Sequence, residues 1–361
     1  MSNKGRSLRF QLERRTHSSP LAQAVFFVVG LVAALLISGV LIYIAKADVL
    51  LALASIFRGA FGGWEAFLET LVQSTPILFT GLAVVLAFRG RVWNIGAEGQ
   101  FFAGAVMATL FGVNLSGLPA ALLVPALIIL AMVGGAIWGL IPGILKAAFN
   151  TSEIIVTVMM NYIMMYLTSF LLTGPLKEPG QHFMQSPKLP ASASLPLLFA
   201  DNRLHLGFAL AVVFVLFVYL LLFKTPLGFD IRAIGENPLA ARYKGINTKT
   251  TIVLAMLLSG AIAGLAGGSE VLGLHHRLRL DISVNYGYTG IIIALLGKLN
   301  PFGVLIAAVF FGALVNGSTS MMIYTGVPVA LVYSVQGLVL ICVLTAEVAS
   351  KYRIRRVSTS G

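Results

Sequence analysis

The feature that most constrains this chain is a series of continuous apolar runs, most of them near 20 residues long. A run of that length crosses the hydrocarbon core of a bilayer as a helix. Charged residues make up only 11% of the 361 residues, whereas a soluble domain carries roughly 25%. Because so few charges cannot cover a globular surface of this size, we expect lipid to cover much of it. Continuous runs also exclude an outer-membrane barrel, whose strands alternate apolar and polar residues. The sequence therefore predicts an all-α polytopic membrane protein.

The apolar runs predict about ten transmembrane helices in one integral domain, residues 21–349. The 286–297 run is short, so it is either a tilted span or a half-helix. Residues 48–64 are broken by Arg58 and indicate an interfacial helix on the outer side. Gly135 and Gly139 have the small-residue spacing that permits close helix contact in lipid. The ten runs are 21–45, 68–88, 98–113, 118–145, 154–172, 204–223, 251–272, 286–297, 301–316 and 328–349.

The basic residues predict the orientation of the chain. The tails at 1–20 and 350–361 are rich in Lys and Arg, so both ends are expected in the cytoplasm. Two cytoplasmic ends require an even number of crossings, which agrees with ten. Residues 173–203 contain five prolines and predict a long extracytoplasmic loop. Arg277 and Arg279 fall on the outer side and are mild exceptions to the positive-inside rule. The net charge of +12 thus reflects topology in a lipid bilayer, and we expect no nucleic acid partner.

No pattern in the sequence points to catalysis. There is no P-loop motif, so ATP, if used, is bound by another chain. The histidines fall on the N-terminal tail or on the predicted outer side, and no cluster of metal-ligand spacing occurs. Cys342 lies inside the last run and reads as a small core residue. We therefore expect no catalytic residue, no metal and no cofactor in this chain.

The stretch RGRVWNIGAEGQ at the start of the third run is unusually polar for a span. Its amides and ring suit a polar, uncharged, partly planar solute such as a sugar or nucleoside. The alternative is that the tryptophan is an interfacial anchor and the asparagine a helix cap. Further amides occur in the fifth and ninth runs, where helix–helix hydrogen bonds are the competing explanation. The candidate path residues are Trp93, Asn94, Glu98, Gln100, Asn161 and Asn316.

A polar island, Asp230–Asn247, separates two long apolar runs. It is too long for a tight turn and predicts a short amphipathic helix on the cytoplasmic face. Pro238 suits a first helical turn after Asn237 as N-cap, and Gly245 is placed to end the helix. Such a helix fits a groove on a soluble partner, although an ordinary surface helix would have the same pattern.

Two motifs resemble a known family. The segment GENPLAARYKGI is similar to the coupling loop of bacterial ABC importer permeases of the branched-chain amino acid, ribose and nucleoside superfamily. It departs from the strict form because three residues separate the glutamate from the alanine pair. VWNIGAEGQ at 92–100 is similar to the nucleoside and simple-sugar branch. On this resemblance the residues that contact the ATPase are Gly235, Glu236, Asn237, Pro238, Ala240, Ala241, Arg242 and Gly245.

The resemblance implies a type II-like permease for nucleosides or related simple sugars in the bacterial inner membrane. Its implied partners are two cytoplasmic ABC ATPase subunits, a second and different permease subunit, and an extracytoplasmic solute-binding protein or lipoprotein. ATP would be bound by the ATPase partner. The alternative is an ion-coupled secondary carrier, which would need a carboxylate at mid-membrane. Glu98, Glu153 and Glu270 are the carboxylates nearest that position, and each lies near the end of a run.

Overall fold

The computed structural model describes residues 8–14, 20–115, 117–199, 202–350 and 352–358. The rest of the two predicted tails, at 1–7, 15–19, 351 and 359–361, lies outside these residues. Short 3₁₀ turns occur at Ala191–Ala193 and Leu280–Ile282, and a π-helical turn at Val271–His275. The elements are β1 (Leu8–Arg14), α1 (Pro20–Ile44), α2 (Val49–Phe61), α3 (Trp64–Arg89), α4 (Ala97–Asn114), α5 (Ala120–Phe149), α6 (Glu153–Thr173), α7 (Leu206–Lys224), α8 (Pro226–Glu236), α9 (Pro238–Tyr243), α10 (Thr248–Glu270), α11 (Tyr286–Leu296), α12 (Pro301–Thr325), α13 (Val329–Ser350) and β2 (Tyr352–Ser358).

In the described part of the chain, eight helices are long and apolar enough to cross a membrane: α1, α3, α5, α6, α7, α10, α12 and α13. The other two predicted spans are the 18-residue α4 and the 11-residue α11. At 1.5 Å per residue α11 is only about 16 Å long, roughly half of a hydrocarbon core. The structure therefore decides the open question for 286–297 in favour of a half-helix.

Two predicted boundaries are corrected. The run 301–316 continues as helix to Thr325, and the polar residues after Asn316 pack within the protein: Ser318 is fully buried and a Cβ on Gly317 would meet Ile56 O. The polar island is two helices, α8 and α9, and not one. Asn237 between them is extended, with φ −154° and ψ 103°, since the residue before a proline is driven out of the helical region.

One compact unit comprises Met1–Gly59 and Gly317–Gly361. In its described part α1 packs against α13, and a buried apolar cluster joins α1 and α2 to the last turns of α12 and to α13. The tails pair as an antiparallel two-stranded sheet in which Leu8 faces Ser358 and Arg14 faces Tyr352. The sequence did not predict this pairing.

The second unit, Ala60–Asn316, is built around α3, α4 and α10. Glycines bring these helices and α5 into backbone contact. A Cβ on Gly135 would meet Gly260 O, one on Gly139 would lie 2.6 Å from Met256 O, and one on Gly104 would meet Gly264. The predicted close contact at Gly135 and Gly139 is thus confirmed. In lipid there is no hydrophobic driving force between helices, so close van der Waals packing through small residues holds them together.

The predicted outer loop, 173–203, packs on the segment that follows α10. Backbone bonds run from Ser186 N to Leu278 O at 3.0 Å and from Leu189 N to His276 O at 2.9 Å. The two arginines that are exceptions to the positive-inside rule are both paired here. Arg277 lies 2.5 Å from Glu178, and Arg279 lies 2.5 Å from Asp281. Each local pair neutralises a positive charge that the topology rule disfavours.

Candidate functional site

The polar stretch 90–96 returns into the helical layer after α3 ends. Asn94 is fully buried, and its Nδ2 donates to Ser259 Oγ at 2.8 Å, which in turn donates to Ala83 O at 2.6 Å. Both bonding partners lie inside the helical layer. Ala83 is about 9 Å along α3 from the end of that helix, and Ser259 is about 16 Å along α10 from its start. Non-helical backbone at that depth survives because it is enclosed by protein. The stretch is therefore a re-entrant turn that starts α4 inside the helical layer.

Asn94 and Gln100 form a reciprocal amide pair that closes this turn. Asn94 Nδ2 donates to Gln100 Oε1 at 2.9 Å, and Gln100 Nε2 donates to Asn94 Oδ1 at 3.1 Å. Gly96 N also donates to Asn94 Oδ1 at 3.0 Å. The polar atoms of Asn94 are thus all occupied within the chain. Satisfied amides in a low-dielectric interior rigidify the backbone that carries them.

Glu98 joins α4 to the half-helix α11. Its Oε2 accepts from Gly287 N at 2.7 Å, and the Ser283 hydroxyl is a second hydrogen-bonding partner. A Cβ on Gly287 would meet Glu98 N, so the two backbones touch. The carboxylate therefore sits between two helix N-termini, where the partial positive charge of both macrodipoles favours an anion. Broken helices that meet in this way are typical of solute sites in membrane transporters.

Asn161 on α6 fixes the other side of the junction. Its Oδ1 accepts from Gly99 N at 2.8 Å, and its Nδ2 donates to Ile95 O at 2.9 Å and to Tyr288 Oη at 3.1 Å. Thr157, one turn earlier on α6, accepts from Ile95 N at 3.3 Å. Asn161 therefore bridges the re-entrant turn, α4 and α11, a set of elements far apart in sequence.

The structure brings together four of the six predicted path residues, while Trp93 and Asn316 lie apart. Asn94, Gln100, Glu98 and Asn161 surround the junction of α4 with α11. Trp93 is 43% exposed and packs edge-on to Phe88 at 4.7 Å. The Asn316 amide contacts the first turn of α3, roughly 35 Å along that helix from Arg89. Their roles in a path remain predictions.

Sequence reasoning missed four partners of this junction: Thr157, Ser259, Ser283 and Tyr288. Each is a single hydroxyl in an apolar or glycine-rich context, and such residues are common in helices with no special role. Only the fold places Ser259 opposite Asn94 and Tyr288 opposite Asn161. No local pattern in the sequence could have identified them.

The carboxylates Glu153 and Glu270 lie outside the junction. Glu153 is at the start of α6 and pairs with Lys146 at 2.9 Å. Glu270 ends α10 and lies 3.5 Å from His275 Nε2. Both fit the helix-terminal interpretation of these residues.

His205 is a buried histidine at the predicted outer end, just before α7. It caps that helix, since its Nδ1 accepts from Gly207 N at 3.1 Å. Its ring lies against Gly273, and it is 1% exposed. Burial, with a smaller effect from His276, lowers the pKa of His205 to about 4. The ring is therefore neutral at physiological pH.

Helix α9 offers an exposed surface. Asn237 caps it by accepting from Leu239 N at 3.0 Å and from Ala240 N at 3.1 Å. Gly245 has φ +84°, the left-handed conformation that glycine adopts most readily. The predicted cap, first-turn proline and terminating glycine are thus confirmed. Ala241 is buried, whereas the residues around it are exposed: Glu236, Asn237, Pro238, Leu239, Ala240, Arg242, Tyr243, Lys244 and Gly245.

Helix α8 holds α9 against the membrane helices. Ile231 and Ile234 are buried. A Cβ on Gly235 would meet Arg89 O at the end of α3. A force applied to α9 would therefore reach α3 through a glycine-tight backbone contact.

Comparison with known proteins gives a family and several relatives. The pattern of the family described as "Branched-chain amino acid transport system / permease component" matches residues 66–344. The chain is 38% identical over 308 residues to the guanosine ABC transporter permease protein NupP of Bacillus subtilis, a match that covers 84% of this chain and 86% of NupP. It is 36% identical over 339 residues to the glucose ABC transporter permease protein TsgB13 of Haloferax volcanii, covering 91% and 88%. The nucleoside ABC transporter permease protein NupB of Lactococcus lactis is 34% identical over 275 residues, covering 74% and 76%.

Proposed function

The chain belongs to the family of permease components of the branched-chain amino acid transport system, and from that premise we propose that it imports nucleosides or related simple sugars. Its relatives are permease subunits of ABC transporters, so the chain is a multi-pass membrane transport subunit and not an enzyme. The family assignment made from the coupling and VWNIGAEGQ motifs is confirmed. ATPase and solute-binding components act with such permeases.

One observation carries the coupling part of the proposal: α9 is capped at both ends and exposed on almost all of its surface. A six-residue helix with few buried residues has little reason to be so well defined unless a partner contacts it. We assign this contact to the ATPase, with Gly235 to Gly245 as the segment that receives its movement. The ATPase partner binds ATP in this proposal, and two ATPase subunits serve two permease subunits.

The solute path is proposed to pass the junction of α4 and α11. Glu98 and Asn161 are the polar groups that join the separate elements there, whereas Asn94 and Gln100 hold the re-entrant turn in shape. A solute rich in hydroxyl and amide groups could exchange hydrogen bonds with Tyr288 and Asn161 without placing an ion in lipid. Trp93 and Asn316 would contact it only near the two ends of the path.

The substrate class rests on the relatives, whose names specify guanosine, nucleosides and glucose. The finer assembly is part of the proposal: a second, different permease subunit, an extracytoplasmic binding protein or lipoprotein, and a location in the bacterial inner membrane with both chain ends in the cytoplasm.

Uptake into proteoliposomes that contain this chain with its permease, ATPase and binding-protein partners tests the proposal. Labelled guanosine and labelled glucose form two arms. We expect uptake in one arm, dependent on ATP and on the ATPase. Uptake that continues without the ATPase and follows a proton or sodium gradient would instead establish the ion-coupled carrier.

A further inference from the structure

A cavity of about 370 Å³ opens where α8 meets the ends of α3 and α7. Three arginines line it: Arg89, Arg91 and Arg232. Glu236 is the one carboxylate in its lining. The cavity therefore has a formal charge of +2, and within the described residues no ion pair joins any of the three arginines to a carboxylate.

Two of the guanidinium groups are held in fixed positions. Arg89 Nε donates to Leu299 O at 2.8 Å. The guanidinium carbons of Arg89 and Arg232 lie 5.4 and 5.2 Å from the centre of the Phe223 ring, so both cations form cation–π contacts with the same ring. Arg232 Nε is buried and has no hydrogen-bond partner in the part of the chain that the structure describes. Two cations on one ring repel each other, and an anion between them would relieve that repulsion.

The location of the cavity indicates the kind of anion. Arg89 is the last residue of α3, and Phe223 lies one residue before the end of α7. The cavity is therefore at the depth of lipid headgroups on the predicted cytoplasmic side. Phe223 and the 51% exposed Phe229 add apolar surface to its lining. Paired guanidinium groups match the geometry of a phosphate, and basic pockets between membrane helices at this level bind phospholipid headgroups.

We propose that this cavity binds a phosphate ester, and that its source is the headgroup of an anionic phospholipid. The bound phosphate would accept hydrogen bonds from Arg89 and Arg232 while the acyl chains follow the exposed apolar surface of α7 at Leu216, Phe217 and Leu220. Because Gly235 and Glu236 lie in the cavity wall and lead directly into α9, the lipid would fix the position of the α8–α9 pair. The site does not depend on which solute the transporter carries.

Titration of the full-length chain in neutral detergent with short-chain phosphatidylglycerol, read by native mass spectrometry, tests the proposal. The variant is Arg89→Gln with Arg232→Gln, and the control is Arg242→Gln with Lys244→Gln, which removes the same charge from exposed α9. Phosphatidylcholine and inorganic phosphate are titrated in parallel. We expect phosphatidylglycerol to bind about 30-fold more weakly to the cavity variant, from roughly fivefold per arginine, and unchanged to the control.

The other outcomes are also decisive. Inorganic phosphate that binds as tightly as the lipid, and is lost in the same variant, would show that the anion is free phosphate. Equal binding of phosphatidylglycerol to wild type and both variants would overturn the proposal. If the cavity variant then fails to assemble with the ATPase, a carboxylate of that partner is the occupant. If the double variant does not fold, the single variant Arg232→Lys replaces it, because lysine keeps the charge but not the paired geometry. The site would be rejected if Arg232→Lys and Arg91→Gln both bound phosphatidylglycerol with the affinity of the wild type.

Discussion

Within the unit Ala60–Asn316, the arginines at the two ends of the helical layer differ in whether they form ion pairs. At the predicted outer end, Arg203, Arg277 and Arg279 each lie 2.5 Å from a carboxylate of the same chain. At the end that carries α8 and α9, no such pair forms for Arg89, Arg91, Arg232 or Arg242 among the described residues. Charges neutralised internally need no partner, whereas unpaired charges leave a field that attracts one. The comparison indicates that the α8–α9 end is built to meet an anionic or acidic surface.

The largest expected effect is at α9. Changing Arg242 and Lys244 to Glu reverses the charge of an exposed surface that we propose to contact the ATPase. Like charges at an interface cost several kcal/mol, so ATP-driven uptake should fall about 100-fold while membrane insertion is unchanged. The measurement is proteoliposome uptake beside ATP hydrolysis. Lys177→Glu with Lys188→Glu, the same charge change on the predicted outer loop, should leave the coupling of hydrolysis to uptake intact, and normal uptake in the α9 variant would refute the role of this helix.

Acid should destabilise the outer end through His205. The pKa of its ring is near 4 when folded and near 6.5 when unfolded. Because the folded pKa is the lower one, stability is full above pH 6.5 and falls until pH reaches about 4, by roughly 3 kcal/mol in total. Thermal unfolding in detergent measures this loss. His205→Asn keeps an N-cap acceptor but has no titrating ring, so its melting temperature should depend less on pH between 4 and 6.5. The exposed control His182→Asn should keep the pH dependence of the wild type. A His205→Asn variant with the same pH dependence as the wild type would contradict the role given to His205.

Removing one partner of a shielded ion pair should cost more than removing one from an exposed pair. Glu178→Gln leaves the part-buried Arg277 without its carboxylate and also weakens the bond from Gln185 Nε2, at 2.8 Å. A loss of about 2 kcal/mol is expected. Asp281→Asn is the matched control, because its pair with Arg279 is exposed and is worth about 0.5 kcal/mol. Equal losses in chemical or thermal unfolding would show that the outer-end pairs are not important for stability.

The smallest effect is expected at the opposite end. Arg232→Gln in neutral detergent loses a contact with Phe223 but also relieves repulsion with Arg89, so the stability should change by no more than about 0.5 kcal/mol. The melting temperature, compared with that of Glu178→Gln in the same detergent, is the readout. A drop as large as that of Glu178→Gln would mean that Arg232 has an internal structural role and would remove the contrast between the two ends.

Most helix positions could be predicted because lipid demands about 20 apolar residues per crossing, and this demand is local in sequence. The predicted run 154–172 becomes α6 at Glu153–Thr173, and 328–349 becomes α13 at Val329–Ser350. The short helix after Asn237 was also predictable, since a cap, a proline and a glycine act within a few residues. The extension of α12 to Thr325 was not, because the stretch NGSTS at 316–320 has the composition of a loop, and only the fold places Gly317 against Ile56 O and buries Ser318.

The candidate site also has a part that the sequence predicts and a part that only the fold shows. The sequence by itself determined that Asn94, Glu98, Gln100 and Asn161 are polar residues in apolar surroundings, and that the Asp230–Asn247 island lies between spans. Only the tertiary structure decided that Asn94 and Gln100 bond to each other, that Glu98 caps α11, and that three arginines share one cavity. The physical reason is range: insertion into lipid and helix capping depend on neighbours in the chain, whereas buried hydrogen bonds and charge pairs depend on which distant groups the packed helices bring within about 3 Å.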